Sequence, residues 1–414
     1  MELQIGTLPT LEDPAFATGR RKQRAPRKQS IYAPRQAAAP DKISRVIAAH
    51  QPKTPFLVVD LDIIADNYRT LRQTLPEAAV YYAVKANPSP EVIRLLCGLG
   101  SSFDVASPAE IELVLNAGAK PANISFGNTI KKERDIAWAF KRGVRLFAFD
   151  SEAELHKLAR SAPGARVFCR LLTSCDGADW PLSRKFGCEA DMAHDLLLQA
   201  RDLGLEPHGL SFHVGSQQTR TDQWGAALQR ASEVFASLKR AEVELTMVNI
   251  GGGLPARYQA AVAPVGAYAS AITKALAEHF GSSLPQVIIE PGRSLVGDSG
   301  TIEAEVVLIS KKSYDEDVRW VYLDIGKFGG LAETHDEAIK YRIEAVGRKG
   351  ATGAVILAGP SCDSVDILYE KFQYQLPLTL KVGDRLRIHA TGAYTASYSS
   401  VGFNGFDPLP TYCA

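Results

Sequence analysis

Eight short apolar runs alternate with helix-like segments between residues 80 and 293, and this alternation constrains the fold more than any other feature of the sequence. In order, the runs are VYYAVK (80–85), SFDVAS (102–107), ISFGN (124–128), RLFAFD (145–150), RVFCRLL (166–172), GLSFHVG (209–215), TMVNIGGG (246–253) and QVIIEPGR (286–293). Strands that alternate with helices pair in parallel, and eight such units are what a (β/α)8 barrel requires. An open, doubly wound sheet is the competing architecture.

The segments between the runs carry helix start and stop signals. Residues 107–110 (SPAE) have the pattern of a capping box with proline at the first helical position, and Gly118 stands where that helix should end. Residues 151–154 (SEAE) repeat the capping-box pattern, and Gly143 follows the helix before them. These signals favour helices over long loops between the predicted strands.

After Arg293 the sequence pattern changes. The runs VVLISKK, RWVYLDIG, GAVILAG and DRLRIHATG are strand-like and are separated by turns, with little helical periodicity. This pattern predicts a second, mostly antiparallel β domain. The earlier run PFLVVD (55–60) is predicted to pair into the same domain, so the barrel is expected over 62–293 and the β domain over 41–61 and 294–414.

Composition points to a small-molecule partner. The chain has 414 residues, with 47 basic against 46 acidic residues, and its formal net charge of +1 gives no reason to expect nucleic acid or a membrane as the main partner. Residues 1–40 carry a basic run between Arg20 and Lys28 and are predicted to be a flexible arm. A solvated tail is favoured over a nucleic-acid-binding role because no aromatic residues interleave the charges.

Cysteine usage and hydropathy indicate the compartment. Six cysteines occur without any CxxC pair, which argues against a zinc ribbon and against a disulfide framework, so no metal is expected. No apolar stretch approaches the roughly 20 residues that span a bilayer, and the N-terminus lacks the apolar core of a signal peptide. We therefore expect a cytoplasmic protein.

Polar residues gather at the predicted carboxyl ends of the strands, where a barrel holds its active site. They are Lys85, Asp104, Asn128, Arg170, His213, Gly215, Ser216, Gly251, Gly252, Gly253, Glu290 and Arg293. Ser216, the backbone amides of Gly251–Gly253 and the Arg293 guanidinium have the chemistry of a phosphate site. Lys85 beside such a site suggests a carbonyl cofactor held as a Schiff base. Glu290 could then keep the pyridine nitrogen of pyridoxal phosphate protonated, with His213 stacked on the ring.

Seven motifs occur together in one order: YYAVKAN, FDVAS, FHVGSQ, NIGGG, EPGR, GPSCDSVD and GAYT. In this order they resemble the fold-type III pyridoxal-phosphate decarboxylases. That family contains ornithine, diaminopimelate and arginine decarboxylases and is related in fold to alanine racemase. The resemblance covers about residues 50 to 410.

The resemblance implies roles for individual residues. Lys85 would form the Schiff base, Glu290 would contact the pyridine nitrogen, and His213 would lie on the ring face. The phosphate would be bound by Ser216, Gly251, Gly252, Gly253, Arg293 and Tyr394. Asp104 and Arg170 are also assigned to the cofactor site, and whether Asp104 orients Lys85 or satisfies backbone donors stays open. Cys362 resembles the family's catalytic cysteine, which in these homodimers enters the active site of the other subunit.

Simpler interpretations apply to the other candidates. Glu110 is interpreted as a helix cap in preference to a catalytic acid. Four cysteines are interpreted as structural: Cys97, Cys169, Cys175 and Cys188.

The substrate is inferred from the residues after the cysteine. Diaminopimelate decarboxylases typically have glutamate there, whereas Asp363 resembles the ornithine branch, in which the aspartate faces the distal ammonium. Asp336 or Glu337 is the expected second carboxylate. The resemblance thus implies conversion of L-ornithine to putrescine and carbon dioxide in polyamine biosynthesis, with L-lysine to cadaverine as a second reaction.

Three alternatives are kept. The first is a diaminopimelate decarboxylase. The second is a catalytically silent ornithine-decarboxylase-like binding protein, which retention of Lys85, Glu290 and Cys362 opposes. The third is a one-domain pyridoxal-phosphate carrier, which would leave residues 294–414 without a purpose.

Overall fold

The computed structural model describes residues 42–180 and 185–414. The basic arm predicted over residues 1–40 lies outside the described residues. Residues 42–414 form one compact unit. Within the described residues, no helix combines the length and the apolar character that crossing a membrane needs.

The first part of this unit alternates strands and helices. In chain order its elements are α1 (Lys42–His50), β1 (Phe56–Val59), α2 (Leu61–Thr74), β2 (Ala78–Ala83), α3 (Pro90–Gly98), β3 (Ser102–Val105), α4 (Pro108–Asn116), β4 (Ile124–Phe126), α5 (Glu133–Lys141), β5 (Leu146–Phe149), α6 (Glu152–Ser161), β6 (Arg166–Arg170), β7 (Ala178–Trp180), α7 (Ala190–Asp202), β8 (Glu206–Ser211), β9 (Ser216–Gln218), α8 (Gln223–Arg240), β10 (Met247–Asn249), α9 (Val265–Phe280) and β11 (Gln286–Ile289).

Eight of these strands close into the predicted parallel barrel, in the order β2-β3-β4-β5-β6-β8-β10-β11. Closure is made by β11 pairing in parallel with β2, with Val287 opposite Ala78, which excludes the open doubly wound sheet. Strand side chains alternate in direction, so each strand fills two separate cores. The barrel interior holds a small buried cluster of Tyr81, Leu146, Ala148, Phe168, Met247 and Ile288. The opposite faces pack against the surrounding helices.

The first predicted capping box is confirmed in its Ser107 bond, while its Glu110 carboxylate binds the residue before the cap. The Ser107 hydroxyl accepts a hydrogen bond from the Glu110 backbone N–H, and the Glu110 carboxylate accepts one from the Ala106 N–H at 2.7 Å. The second capping box is wrong. Ser151 precedes α6 without a side-chain cap bond, and Glu154 instead forms a buried ion pair. Both predicted helix ends are confirmed, because Gly118 and Gly143 follow α4 and α5 with φ of 98° and 94°.

The second part is the predicted β domain. The short helix α10 (Arg293–Val296) ends the barrel and leads into this domain. The strands of the domain are β12 (Gly300–Ser310), β13 (Arg319–Leu323), β14 (Arg342–Ala345), β15 (Thr352–Ala358), β16 (Ile367–Pro377), β17 (Arg385–His389) and β18 (Thr411–Cys413). The sheet order is β14-β17-β12-β13-β15-β16, and the pairing is antiparallel except between β13 and β15 and between β1 and β18.

Strand β1 belongs to this sheet although it precedes the barrel. It runs antiparallel to β12, with Val59 opposite Gly300, and the Asp60 N–H donates to the Ser299 carbonyl at 2.9 Å. All four β1 residues are buried. The barrel is therefore inserted between two neighbouring strands of the β sheet.

Candidate active site

The predicted site residues of the barrel gather at the carboxyl ends of its strands, as the topology requires. Lys85 follows β2, Asp104 lies in β3, Arg170 ends β6, His213 follows β8 and Glu290 follows β11. Electrostatic interactions link Lys85 with Asp104, Glu290 and Arg170, so these charges share one region of the mouth.

The Lys85 amine lies 3.5 Å from the Asp104 carboxylate. Half of the Lys85 side-chain surface is accessible, at 51%, whereas Asp104 is buried at 5%, so a ligand can reach the amine while its partner stays fixed. Burial works to lower the pKa of Lys85, but the Asp104, Tyr394 and Glu290 groups outweigh it and raise that pKa. The amine is therefore protonated at neutral pH in the protein alone.

The β domain supports Lys85 from the other side. The Tyr394 N–H donates to the Ala86 carbonyl at 2.9 Å, and the Ser397 hydroxyl donates to the Lys85 carbonyl at 3.2 Å. Tyr394 has φ of 54°, a backbone conformation that non-glycine residues seldom adopt outside functional or strained sites. This contact brings the predicted phosphate ligand Tyr394 to the barrel mouth.

Asn249 organises the Glu290 carboxylate. The Asn249 amide donates to Glu290 Oε1 and its oxygen accepts the Gly251 N–H at 2.9 Å. Burial, followed by the charge of Asp104, raises the pKa of Glu290 to about 7. The sequence analysis did not single out Asn249, although its place in NIGGG, at the end of a strand and before the glycines, was an available signal.

His213 is held as a neutral imidazole. Its Nδ1 accepts the Gly215 N–H at 3.0 Å, so the ring proton lies on Nε2. Burial, followed by the positive charges of Arg170 and Lys85, lowers the pKa of His213 well below its ordinary value. A neutral, flat ring suits stacking on an aromatic ligand.

The turn Gly251–Gly253 needs glycine. Gly251 and Gly253 have φ of 66° and 105°, where side chains are disfavoured. A Cβ on Gly252 would lie 2.6 Å from the Glu290 carbonyl oxygen and 3.3 Å from His213 Nε2. The backbone can thus approach a ligand closely beside His213 and Glu290.

Arg293 is 3% exposed and binds the Ser216 segment, which adjoins this turn because a Cβ on Gly253 would lie 2.7 Å from the Gly215 carbonyl oxygen. Its guanidinium donates to the Ser216 hydroxyl at 3.0 and 3.2 Å and to the Tyr258 hydroxyl at 2.7 Å. It also forms a two-bond ion pair with Glu333, at 2.6 and 2.7 Å, and lies 4.9 Å from the Tyr394 ring centre. The structure therefore brings the predicted phosphate ligands together and adds Tyr258 and Glu333, which the sequence analysis missed.

These residues fit pyridoxal phosphate. A reachable lysine amine can bind the aldehyde, the Glu290 carboxylate can face the ring nitrogen, and the neutral His213 can cover the ring. The glycine turn, Ser216 and Arg293 provide oriented donors for a phosphate group.

Cys362 and Asp363 lie in the loop between β15 and β16. Cys362 is exposed, and its N–H donates to Asn404 Oδ1 at 3.1 Å. Asp363 Oδ1 accepts the Val365 N–H at 3.0 Å. In the part of the chain that the structure describes, no hydrogen bond or ion pair joins either side chain to Lys85.

Asp336 and Glu337 differ in their exposure and in their partners. Asp336 is 83% exposed and lies 3.5 Å from His335. The Glu337 carboxylate accepts three backbone N–H groups, from Glu370 at 2.7 Å, Lys371 at 2.6 Å and Phe372 at 2.8 Å. Burial raises the pKa of Glu337, but these three bonds outweigh it and lower that pKa. One carboxylate thus faces solvent, and the other is engaged by β16.

Comparison with known proteins identifies the family. Residues 61–297 match the model of the pyridoxal-dependent decarboxylase, pyridoxal binding domain. The lysine/ornithine decarboxylase of Selenomonas ruminantium is 37% identical over 372 residues, which are 90% of this chain and 92% of that protein. Antizyme inhibitor 2 of Xenopus laevis is 33% identical over 392 residues, which are 90% of this chain and 84% of that protein.

Solved structures agree with the fold. SrLDC in complex with PLP and cadaverine has a TM-score of 0.81 at 34% identity and covers 91% of this chain and 94% of its own. The lysine/ornithine decarboxylase of Vibrio vulnificus complexed with putrescine has a TM-score of 0.80 at 30% identity, covering 90% and 97%.

Proposed function

Because the chain belongs to the pyridoxal-dependent decarboxylases, we propose that it removes the α-carboxylate of L-ornithine, giving putrescine and carbon dioxide, and that it also accepts L-lysine. The observation that carries the proposal is the position of the reachable Lys85 amine beside Asp104, Glu290 and the glycine turn at the barrel mouth. We place the reaction in the cytoplasm, where the six free cysteines would stay reduced.

Each residue of the cluster has a distinct task. Bound pyridoxal phosphate supplies an electron sink for the electron pair that remains on the α-carbon when carbon dioxide leaves. Glu290, held by Asn249, stabilises positive charge at the pyridine nitrogen. Asp104 holds the protonated Lys85 amine. One proton must leave the Lys85 nitrogen before the amine can react. His213 keeps water off one ring face.

Cys362 is proposed to donate the proton to the α-carbon, in the active site of a second subunit. Its exposure on a loop, without a bond to Lys85 among the described residues, supports this assignment. Four apolar side chains are exposed in the same loop and in the 398–406 segment, which Cys362 contacts through Asn404: Val365 at 57%, Tyr398 at 52%, Val401 at 83% and Phe406 at 45%. Exposed apolar side chains grouped in this way are typical of an interface, which supports a homodimer with shared sites.

Asp363, in the same loop, is proposed to face the distal ammonium of the substrate. The name of the Selenomonas relative and the putrescine bound to the Vibrio relative support a diamine product. A change of one methylene is worth about 1–3 kcal/mol in a pocket, so ornithine and lysine can both be turned over. The second carboxylate expected near the distal ammonium, Asp336 or Glu337, stays a prediction.

Two other functions are alternatives that a decarboxylation assay can distinguish. The similarity to antizyme inhibitor 2 favours a silent binding protein as the second candidate, which the retained Lys85, Glu290 and Cys362 oppose. A diaminopimelate decarboxylase would need to accept an anionic group where Asp363 is proposed to lie.

Steady-state kinetics on L-ornithine, L-lysine and meso-diaminopimelate test the proposal. We expect kcat/KM to be highest for ornithine, lower for lysine and negligible for diaminopimelate, because a carboxylate near the distal group repels the anion. Asp363→Ala should lower ornithine turnover far more than cofactor retention, and Ser364→Ala is the matched control at the neighbouring position. Preference for diaminopimelate would overturn the substrate, and absence of decarboxylation would favour the binding protein.

A further inference from the structure

A buried carboxylate stands inside a site that is built for an anion. Glu333 is 3% exposed and lies against Arg293, which is equally buried. A carboxylate near a phosphate repels it, and this is unfavourable unless the carboxylate also stabilises the cation that binds the phosphate. The Arg293–Glu333 contact therefore needs an explanation beyond charge complementarity within the protein.

The direction of the bonds shows how the guanidinium is divided. Glu333 binds the end formed by Nη1 and Nη2, at 2.7 and 2.6 Å, and Tyr258 also accepts from Nη1. The edge formed by Nε and Nη2 faces the Ser216 hydroxyl, at 3.2 and 3.0 Å. A two-bond arginine–carboxylate pair fixes the plane of the guanidinium as well as its position.

The segment that carries Glu333 is itself held firmly. Glu333 lies in the 3-10 turn Ala332–Glu337, where Asp336 and Glu337 have φ of 51° and 56°. Glu337, at the end of the turn, is bound by three N–H groups of β16. Two consecutive non-glycine residues in this conformation persist only where surrounding contacts impose it. The β domain thus sets the position of Glu333, and Glu333 contacts the barrel.

We propose that Glu333 is a positioning residue, which fixes the plane of the Arg293 guanidinium so that its Nε–Nη2 edge, held on the Ser216 hydroxyl, is preset to meet the phosphate of pyridoxal phosphate. This inference rests on the phosphate role proposed for Arg293. Glu333 need not contact the cofactor, because it acts through Arg293. Tyr258 completes the support from the barrel side.

Cofactor titration of four full-length variants tests the proposal. Glu333→Ala and Glu333→Gln remove the two-bond pair, and Arg293→Ala removes the donor itself. Glu303→Gln is the matched control, since Glu303 is 2% exposed and is bound by Arg385 at 2.7 Å and Arg387 at 3.1 Å on β17, in the β sheet. Each cofactor-free protein is titrated by absorbance with pyridoxal phosphate and with pyridoxal, which lacks the phosphate.

We expect both Glu333 variants to weaken pyridoxal phosphate binding by about tenfold or more, the loss typical of a hydrogen bond to a charged group, while pyridoxal affinity changes by less than about twofold. Glu303→Gln should change neither affinity. Equal weakening of both ligands, or no weakening of either, would overturn the positioning role. If Glu333→Ala does not fold, the isosteric Glu333→Gln decides.

Arg293→Ala tests the phosphate role of Arg293 separately from the positioning role of Glu333. If Arg293→Ala does not reduce the difference in affinity between pyridoxal phosphate and pyridoxal, the phosphate lies elsewhere. The phosphate site and the positioning role of Glu333 are then both wrong. If Arg293→Ala reduces this difference in affinity and the Glu333 variants do not, only the positioning role of Glu333 is wrong.

Discussion

Glu290 shows how a single residue in the cluster carries an unfavourable energy in the protein alone. Its carboxylate is withdrawn from water and lies near Asp104, so its negative form is disfavoured relative to an unfolded chain. A positively charged partner at the pyridine nitrogen would relieve that energy. The charges of Lys85 and Arg170 offset only part of this energy in the protein alone.

This unfavourable energy predicts a pH-dependent stability. The folded pKa of Glu290 is about 7 against 4.5 for an ordinary glutamate, so the unfolded chain releases this proton first. The resulting loss of stability is absent below pH 4.5, grows as pH rises and is complete above pH 7, at about 3 kcal/mol. In the cofactor-free protein, Glu290→Gln should therefore gain stability relative to wild type between pH 5 and pH 8. Urea unfolding at both pH values measures this, and parallel pH profiles of the two proteins would contradict it.

Residues that act through a distant partner were the ones that sequence reasoning missed. Asn249 meets Glu290 from 41 positions away, and Glu333 meets Arg293 from 40. The NIGGG motif marked Asn249 but not its partner, and no local pattern marked Glu333, because the fold brings each pair together from different elements. The lysine and glycines were predictable because their own sequence context carries the motif.

At the scale of elements, a buried ion pair ties two strand ends to a helix. Lys131, between β4 and α5, donates to the Asn128 carbonyl at 2.7 Å and to the Ala148 carbonyl of β5 at 2.6 Å, and lies 3.0 Å from Glu154 of α6. Its side chain is 0% exposed. Burial, opposed by Glu154, lowers the pKa of Lys131 to about 8. The capping box predicted at 151–154 failed because Glu154 is needed here.

Removing one partner should be worse than removing both. We expect Glu154→Leu to destabilise the protein by roughly 3–5 kcal/mol, because it leaves a buried ammonium without its counter-ion, whereas the double variant with Lys131→Met should recover most of this loss. Glu133→Leu is the control, since the Glu133–Arg160 pair joins α5 to α6 at the surface and should matter by less than about 1 kcal/mol. Urea unfolding measures all three. A double variant less stable than Glu154→Leu would contradict the argument.

At the scale of the whole molecule, the predicted architecture followed from periodicity, since eight strand–helix units leave few ways to bury their apolar faces. The closed barrel and the mostly antiparallel sheet are confirmed. The surroundings of Glu337 could not be read from the sequence, because they depend on β16 backbone donors more than thirty positions away. Asp336 has its position fixed by the same strained turn.

The proposed dimer predicts complementation between two inactive variants. Lys85→Ala and Cys362→Ala should each abolish or severely reduce decarboxylation, yet a mixture should regain activity, because a mixed dimer holds one site with both residues intact. Random exchange of equal amounts gives intact residues at about one quarter of the sites. Decarboxylase activity after verified subunit exchange is the measurement. A mixture no more active than its two components would show that Cys362 does not serve a partner's site.

The insertion of the barrel between β1 and β12 has a consequence for synthesis of the chain. Phe56–Val59 is a four-residue apolar strand whose antiparallel neighbour, beginning at Gly300, is made about 240 residues later. At ribosomal speeds of about 5–20 residues per second, roughly 10 to 50 seconds pass before that partner emerges. During this interval the nascent strand has no sheet to join, and barrel closure, which needs only residues up to β11, can come first. Slowing translation after residue 60 would prolong the exposure of this strand without altering any contact of the finished protein.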